Sequence, residues 1–199
     1  MAFIRTIPEA EATGDVKTLY ETSRDAQGRL PNYVTAFSLR PAVWNAAGPL
    51  AAAIKANMDL RRYELVTLAA ALALECSYCS LAHGQILSDK VLGPQRTETF
   101  ARDFRESDLT AAEKAMVAFV QKVALRASTV TQDDIDGLRK HGFTDPEIFD
   151  ITSATTFRCF FSKLFDGIGA QPDHFYADLD PGFRQALTVG RPIEPPPAK

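Results

Sequence analysis

Apolar residues recur at helical spacing along most of the chain. Thr110-Ala-Ala-Glu113 has the form of a capping box, in which the Thr hydroxyl accepts from first-turn amides and the Glu reaches back. Met116, Val117, Phe119, Val120, Val123 and Ala124 follow with the period of one buried helix face. Thr131 opens a second helix, with Asp133 and Asp134 at the positive end of its dipole, Ile135 and Leu138 on its apolar face and Gly142 as a left-handed end. Thr144-Asp-Pro-Glu147 is another capping box, and Pro146 stands in the first turn, where its missing N–H does no harm. Ile148, Phe149, Ile151, Phe157, Phe160, Phe161 and Leu164 continue a long helix from it. Upstream, 15–26, 41–57 and 61–76 read as helices on the same grounds. No sustained alternation bounded by hairpin turns occurs. The pattern predicts an all-α protein of seven to nine helices in a single domain, 1–199. The stretch 191–199, with four prolines in nine residues, is expected to be an extended arm.

Composition narrows the class. Apolar residues make up 46% of 199 residues and include 13 Phe, enough to bury a sizeable core, so disorder is excluded. Twenty-two basic against 25 acidic residues give a net charge of −3, and no stretch concentrates Lys and Arg. Nucleic acid is therefore not an expected partner. The longest apolar run, Leu65 to Leu74, is interrupted by Thr67 and is about half the roughly 20 residues that span a bilayer. It reads as a helix buried in protein, with no membrane partner. The first 15 residues hold no apolar stretch of signal-peptide length, so a cytoplasmic location is expected. Three cysteines are too few for a disulfide scaffold, and in a reducing compartment a close pair points to metal or redox chemistry.

That pair is Cys76 and Cys79, and His83 lies four residues beyond. At about 100° per residue, the three fall in one narrow helical stripe. A helix N-terminus near Cys76 lowers thiol pKa values through its dipole and free amides, and a neighbouring imidazole can take the thiol proton. These are the ingredients of a nucleophilic thiol beside a resolving thiol. Glu64 is the second unusual residue, since it opens a helix that is otherwise almost wholly apolar. On an unbroken helix it would align with Glu75 and sit about 120° from the face of Cys76. If it serves the cysteines, the chain must turn between them. The alternative chemistry is structural zinc, held by Cys76, Cys79 and His83 with Glu64 or His141 as a fourth ligand, although a second close pair of ligands is missing.

Other side chains carry plainer readings. Cys159 is a packed thiol, Glu75 a solvated or structural group, and His141 a complement to its helix dipole. Tyr78 suits either a pocket, where it would stack or donate its hydroxyl to an oxidant, or an interface. Arg158 stands on a Phe-rich helix. If buried it needs Asp150, Asp166 or a partner subunit, and if exposed its stem snorkels. The Phe stripe itself is core or oligomer interface.

Glu64 followed by Cys76-x-x-Cys79-x-x-x-His83 resembles the signature of the alkylhydroperoxidase D and carboxymuconolactone decarboxylase-like superfamily, most of all its peroxidase-related branch. The likeness is densest over 60–83 and looser over 131–169. It implies an alkylhydroperoxidase D-like helical bundle that assembles as a homo-oligomer, either trimers or dimers stacked into hexamers. It also implies a peroxidase reducing small alkyl hydroperoxides with no cofactor. By that resemblance Cys79 attacks the peroxide, Cys76 condenses with the sulfenic acid to a disulfide, His83 and Glu64 relay the proton, and an external dithiol regenerates the pair. Tyr78 departs from the pattern, because characterised members carry a His between the two cysteines. True carboxymuconolactone decarboxylases generally lack the cysteine pair, which argues against that reaction. A non-catalytic, redox-sensing helical oligomer is the remaining alternative.

Overall fold

A computed structural model describes residues 2–196, so positions 197–199 of the proline-rich arm lie outside the described residues. The order along the chain is α1 (Gly14–Thr22), α2 (Asn32–Thr35), α3 (Pro41–Lys55), α4 (Leu60–Ala73), α5 (Ser77–Leu87), α6 (Pro94–Arg102), α7 (Ala111–Arg126), α8 (Gln132–Lys140), α9 (Asp145–Ile168) and α10 (Pro181–Leu187). Short 3₁₀ turns and one π-helical turn, Ser88–Leu92, fill the connections. No strand occurs among the described residues. Among the described residues there are ten α-helices rather than seven to nine, because the four-residue α2 and seven-residue α10 are too short to show a period. No helix among the described residues is long and apolar enough to cross a membrane.

The capping signals act as local chemistry requires. Thr110, Thr131 and Thr144 each form a capping box, with Glu113, Asp134 and Glu147 respectively. Gly142 ends α8 at φ 90°, a left-handed conformation that suits glycine. Three predicted helices are shorter than expected: 15–26 stops at Thr22, 41–57 at Lys55 and 61–76 at Ala73.

Helix α4 is the axis of the fold. Tyr63 through Ala71 are all buried, which explains why the segment shows no polar face. It packs against α5, α7 and α9. The long α9 turns Ile151, Ala154, Arg158, Phe161 and Phe165 inward. The arm, as far as it is described, lies on its own chain. The Gly190 amide donates to Ser77 Oγ at 2.8 Å, Arg191 donates to the Asp166 carbonyl at 2.6 Å, and the Glu194 amide donates to the Pro172 carbonyl at 2.8 Å.

Candidate active site

The site is made by a break in the longest apolar run. Helix α4 ends at Ala73 with Leu74 as its C-cap, and Glu75 takes φ 55°, a left-handed backbone that a side chain with Cβ resists. Cys76 is extended and serves as N-cap of α5, and its amide donates to the Ala71 carbonyl at 3.0 Å. The chain thereby reverses, and α5 runs back along α4. That reversal brings Glu64 to His83 Nδ1 at 2.7 Å, a contact an unbroken helix forbids. Glu75 itself stays exposed.

Cys79 lies in the first turn of α5, where free amides and the dipole favour an anion. Cys76 and Cys79 are both buried free thiols in hydrogen-bonding contact. Arg158, buried and reaching from α9, places Nη1 3.5 Å from Cys79 Sγ. It has no carboxylate ion-pair partner among the described residues, and its Nε meets no acceptor. A buried guanidinium without a counter-charge is expensive, so the Cys79 thiolate completes it. Burial opposes ionisation of Cys79. The Cys76 thiol and the Arg158 charge outweigh it and hold Cys79 down at about 6. Cys76 moves the other way, because it donates to Cys79 and is itself desolvated, so it stays protonated. Burial opposes the Arg158 charge, but Cys79 and Tyr63 beside it keep it more firmly protonated than usual.

His83 is driven down to about 4 by burial and by the Arg158 charge, against the pull of Glu64. It is neutral at physiological pH, so Nδ1–H donates to the Glu64 carboxylate and Nε2 remains an acceptor. Glu64 is only 2% exposed. Cys79, His83 and Arg158 open on one cavity of about 410 Å³, walled by Tyr33, Trp44, Tyr78, Phe157, Phe161 and Phe165, with Lys55 and Tyr63 also lining it.

Tyr78 contributes its ring to that wall, and its hydroxyl is engaged elsewhere. It donates to Asp173 Oδ2 and accepts from the Tyr33 amide at 2.8 Å. Asp173 Oδ1 in turn accepts from the Asn32 amide at 2.9 Å, so the clamp ties α2 to α5. The sequence reading missed two roles. Arg158 is partnered by Cys79 rather than by Asp150 or Asp166. Asp166 lies instead against Cys76 and Arg191, and burial raises its carboxyl above the ordinary range. The signal for Arg158 was its register, four residues after buried Ala154 and three before Phe161. No group of three or more His, Cys, Asp or Glu side chains among the described residues is arranged to hold a metal ion. His141 borders a separate depression between α7 and α8, away from the cysteines.

This fold is the alkylhydroperoxidase D-like fold. The crystal structure of an alkylhydroperoxidase AhpD core, an uncharacterized peroxidase-related protein from Ralstonia eutropha, superposes with a TM-score of 0.76 at 24% identity, covering 96% of this chain and 98% of that one. A peroxidase-related protein from Silicibacter sp. matches at a TM-score of 0.69 and 22% identity, covering 87% and 90%. The debrominase Bmp8, in complex with 2,3,4-tribromopyrrole, matches at 0.70 and 17% identity, covering 92% and 94%. No protein-family model and no curated protein matches the sequence.

Proposed function

We propose that the protein is a thiol-dependent peroxidase that reduces small hydroperoxides through Cys79 and Cys76. The observation that carries this reading is the Cys79 sulfur held against buried, carboxylate-free Arg158 on the wall of a cavity, with a protonated Cys76 beside it. The Cys79 thiolate attacks the distal peroxide oxygen. The S–O bond forms, the O–O bond breaks, and the alkoxide departs. A proton from water, relayed through neutral His83 backed by Glu64, replaces on that alkoxide the one lost by Cys79, so an alcohol leaves and a sulfenic acid remains. Cys76 then attacks the sulfenic sulfur. Its S–H proton leaves with the hydroxide as water, with the Asp166 carboxyl beside it, and the disulfide forms. An external dithiol restores both thiols by exchange.

Reduced protein treated with one equivalent of an organic hydroperoxide is expected to lose two hydrogens by intact mass and both free thiols of the pair. Cys79→Ser is expected to lose neither. Failure of the parent to form the Cys76–Cys79 disulfide overturns the reading.

The aromatic cavity favours a second reading. One neighbour of this fold is a debrominase, and replacing a ring C–Br bond by C–H with departure of bromide draws on the same two electrons and two thiol hydrogens. Incubating reduced protein with a brominated pyrrole and measuring bromide release alongside thiol loss separates the two activities. The exposed side chains Val43, Leu50, Phe149 and Phe160, which line a groove between α3 and α9, support a homo-oligomer in which a second copy covers them.

A further inference from the structure

We propose that the cavity at Cys79 is a binding site for a planar aromatic anion, such as an aryl carboxylate or phenolate that carries the thiol-reactive group. This rests on Cys79 as the reacting thiol for its orientation only; the binding itself stands apart from turnover.

Three observations lead there. The first is size. About 410 Å³ lies in the range of small-molecule sites and has room for one or two rings with short substituents. A bare peroxide leaves most of it unfilled. The second is the wall. Tyr33 and Trp44 lie 5.7 Å apart between ring centroids at 30°, Trp44 and Phe161 6.4 Å at 83°, and Phe157 and Phe161 5.1 Å at 80°. These rings present both faces and edges to the cavity. A ligand ring extends that edge-to-face network, and each such pair adds attraction beyond area burial. An alkyl chain of equal area gains no such term and loses more rotamer freedom on binding.

The third observation is charge. The ionisable side chains lining the cavity are the cations Lys55 and Arg158, together with Cys79, His83 and tyrosines; no Asp or Glu lines it. Arg158 is occupied by Cys79 on the inner wall. Lys55 is exposed, with Nζ 4.6 Å from the Tyr63 ring centroid, and is close enough to His83 to oppose its protonation. It is therefore the group positioned to receive an anion entering from solvent. The ring then packs against the aromatic wall that Trp44 and Phe161 form, with its reactive substituent directed at Cys79.

The test uses reduced wild-type protein and three unreactive probes: 4-butylbenzoate, nonanoate and 4-butylbenzyl alcohol. Trp44 is the single tryptophan and lines the cavity, so its emission reports occupancy, and calorimetry supplies a second readout. 4-Butylbenzoate is expected to bind saturably and about tenfold tighter than nonanoate. Lys55→Met is expected to weaken the benzoate by about fivefold, the scale of an exposed ion pair, and to leave the alcohol unchanged. Trp44→Leu, followed by calorimetry, is expected to erase the preference for the ring. Nonanoate binding as tightly as the benzoate, or no saturable signal by either readout, overturns the proposal. So does an equal loss of benzoate and alcohol in Lys55→Met. Ligand binding without disulfide formation under peroxide would instead sink the peroxidase reading and leave the cavity assignment standing.

Discussion

Arg158 sets the chemistry at the scale of single residues. Together with the Cys76 thiol, it favours ionisation of Cys79 inside an apolar core, where desolvation alone would keep the thiol protonated. Alkylation of Cys79 by iodoacetamide is therefore expected to follow a pH profile with a midpoint of about 6. Arg158→Met is expected to move that midpoint up towards the ordinary thiol range, with Arg158→Lys in between. An unchanged midpoint in Arg158→Met would show that the Cys76 thiol, not the guanidinium, holds the thiolate. The same shift acts on stability. Between about 6 and the ordinary value of 9.0, the folded Cys79 has lost a proton that the unfolded chain keeps, so the reduced protein gains stability as pH rises through that window. His83 has the same sign lower down. It is neutral in the fold to about 4 but protonates at 6.5 when unfolded, so stability falls as pH drops from 6.5 to 4. Urea midpoints across this range check both. The pair and His83 were legible in the sequence because one helix fixes their spacing. The role of Arg158 was not, because its partner lies 79 positions away on another helix.

At the scale of elements, the decisive feature is the turn between α4 and α5. Periodicity ran the apolar segment on to residue 76, because Leu74 carries no breaker signal and Glu75 is not a glycine. Tertiary packing supplied the break instead. Gly190 of the arm sits directly against the Glu75 carbonyl, where any Cβ would overlap it, and its amide is tied to Ser77. The left-handed Glu75 stores strain, so Glu75→Gly is expected to stabilise the protein by about 1 kcal/mol, raising Tm by about 2–4 °C for a chain of this size. Differential scanning calorimetry checks it, and a fall in Tm would mean that the Glu75 side chain makes a stabilising contact that outweighs the backbone cost. Glu64 was recognisable as an anomaly, and the condition that it meet the motif only through a turn is what the backbone fulfils.

At the scale of the whole molecule, an apolar groove is open to solvent among the described residues. Phe149 is 71% exposed and Leu50 53%, on the two sides of the groove between α3 and α9. Isolated exposed leucines are ordinary, but a groove of facing aromatic and aliphatic side chains marks an interface. Light scattering is expected to give a mass at a multiple of 21.8 kDa, and Phe149→Glu together with Phe160→Glu is expected to reduce it. A monomeric parent would leave the groove without its second copy. The all-α class and the capped helices were legible because each leaves a local period or cap. The lie of the arm across the α4–α5 turn was not, since proline-rich segments announce extension but not where they rest.

The pairing of Arg158 with Cys79 also bears on electron supply. In the proposed cycle, drawing Cys79 into a disulfide removes its negative charge and leaves the buried Arg158 guanidinium with neutral Tyr63 but no counter-charge. On that reading the dithiol state is the electrostatically satisfied one, and the charge lost on oxidation favours return to the thiols. The same reading expects modestly reducing dithiols, and not only the strongest ones, to suffice for regenerating the pair.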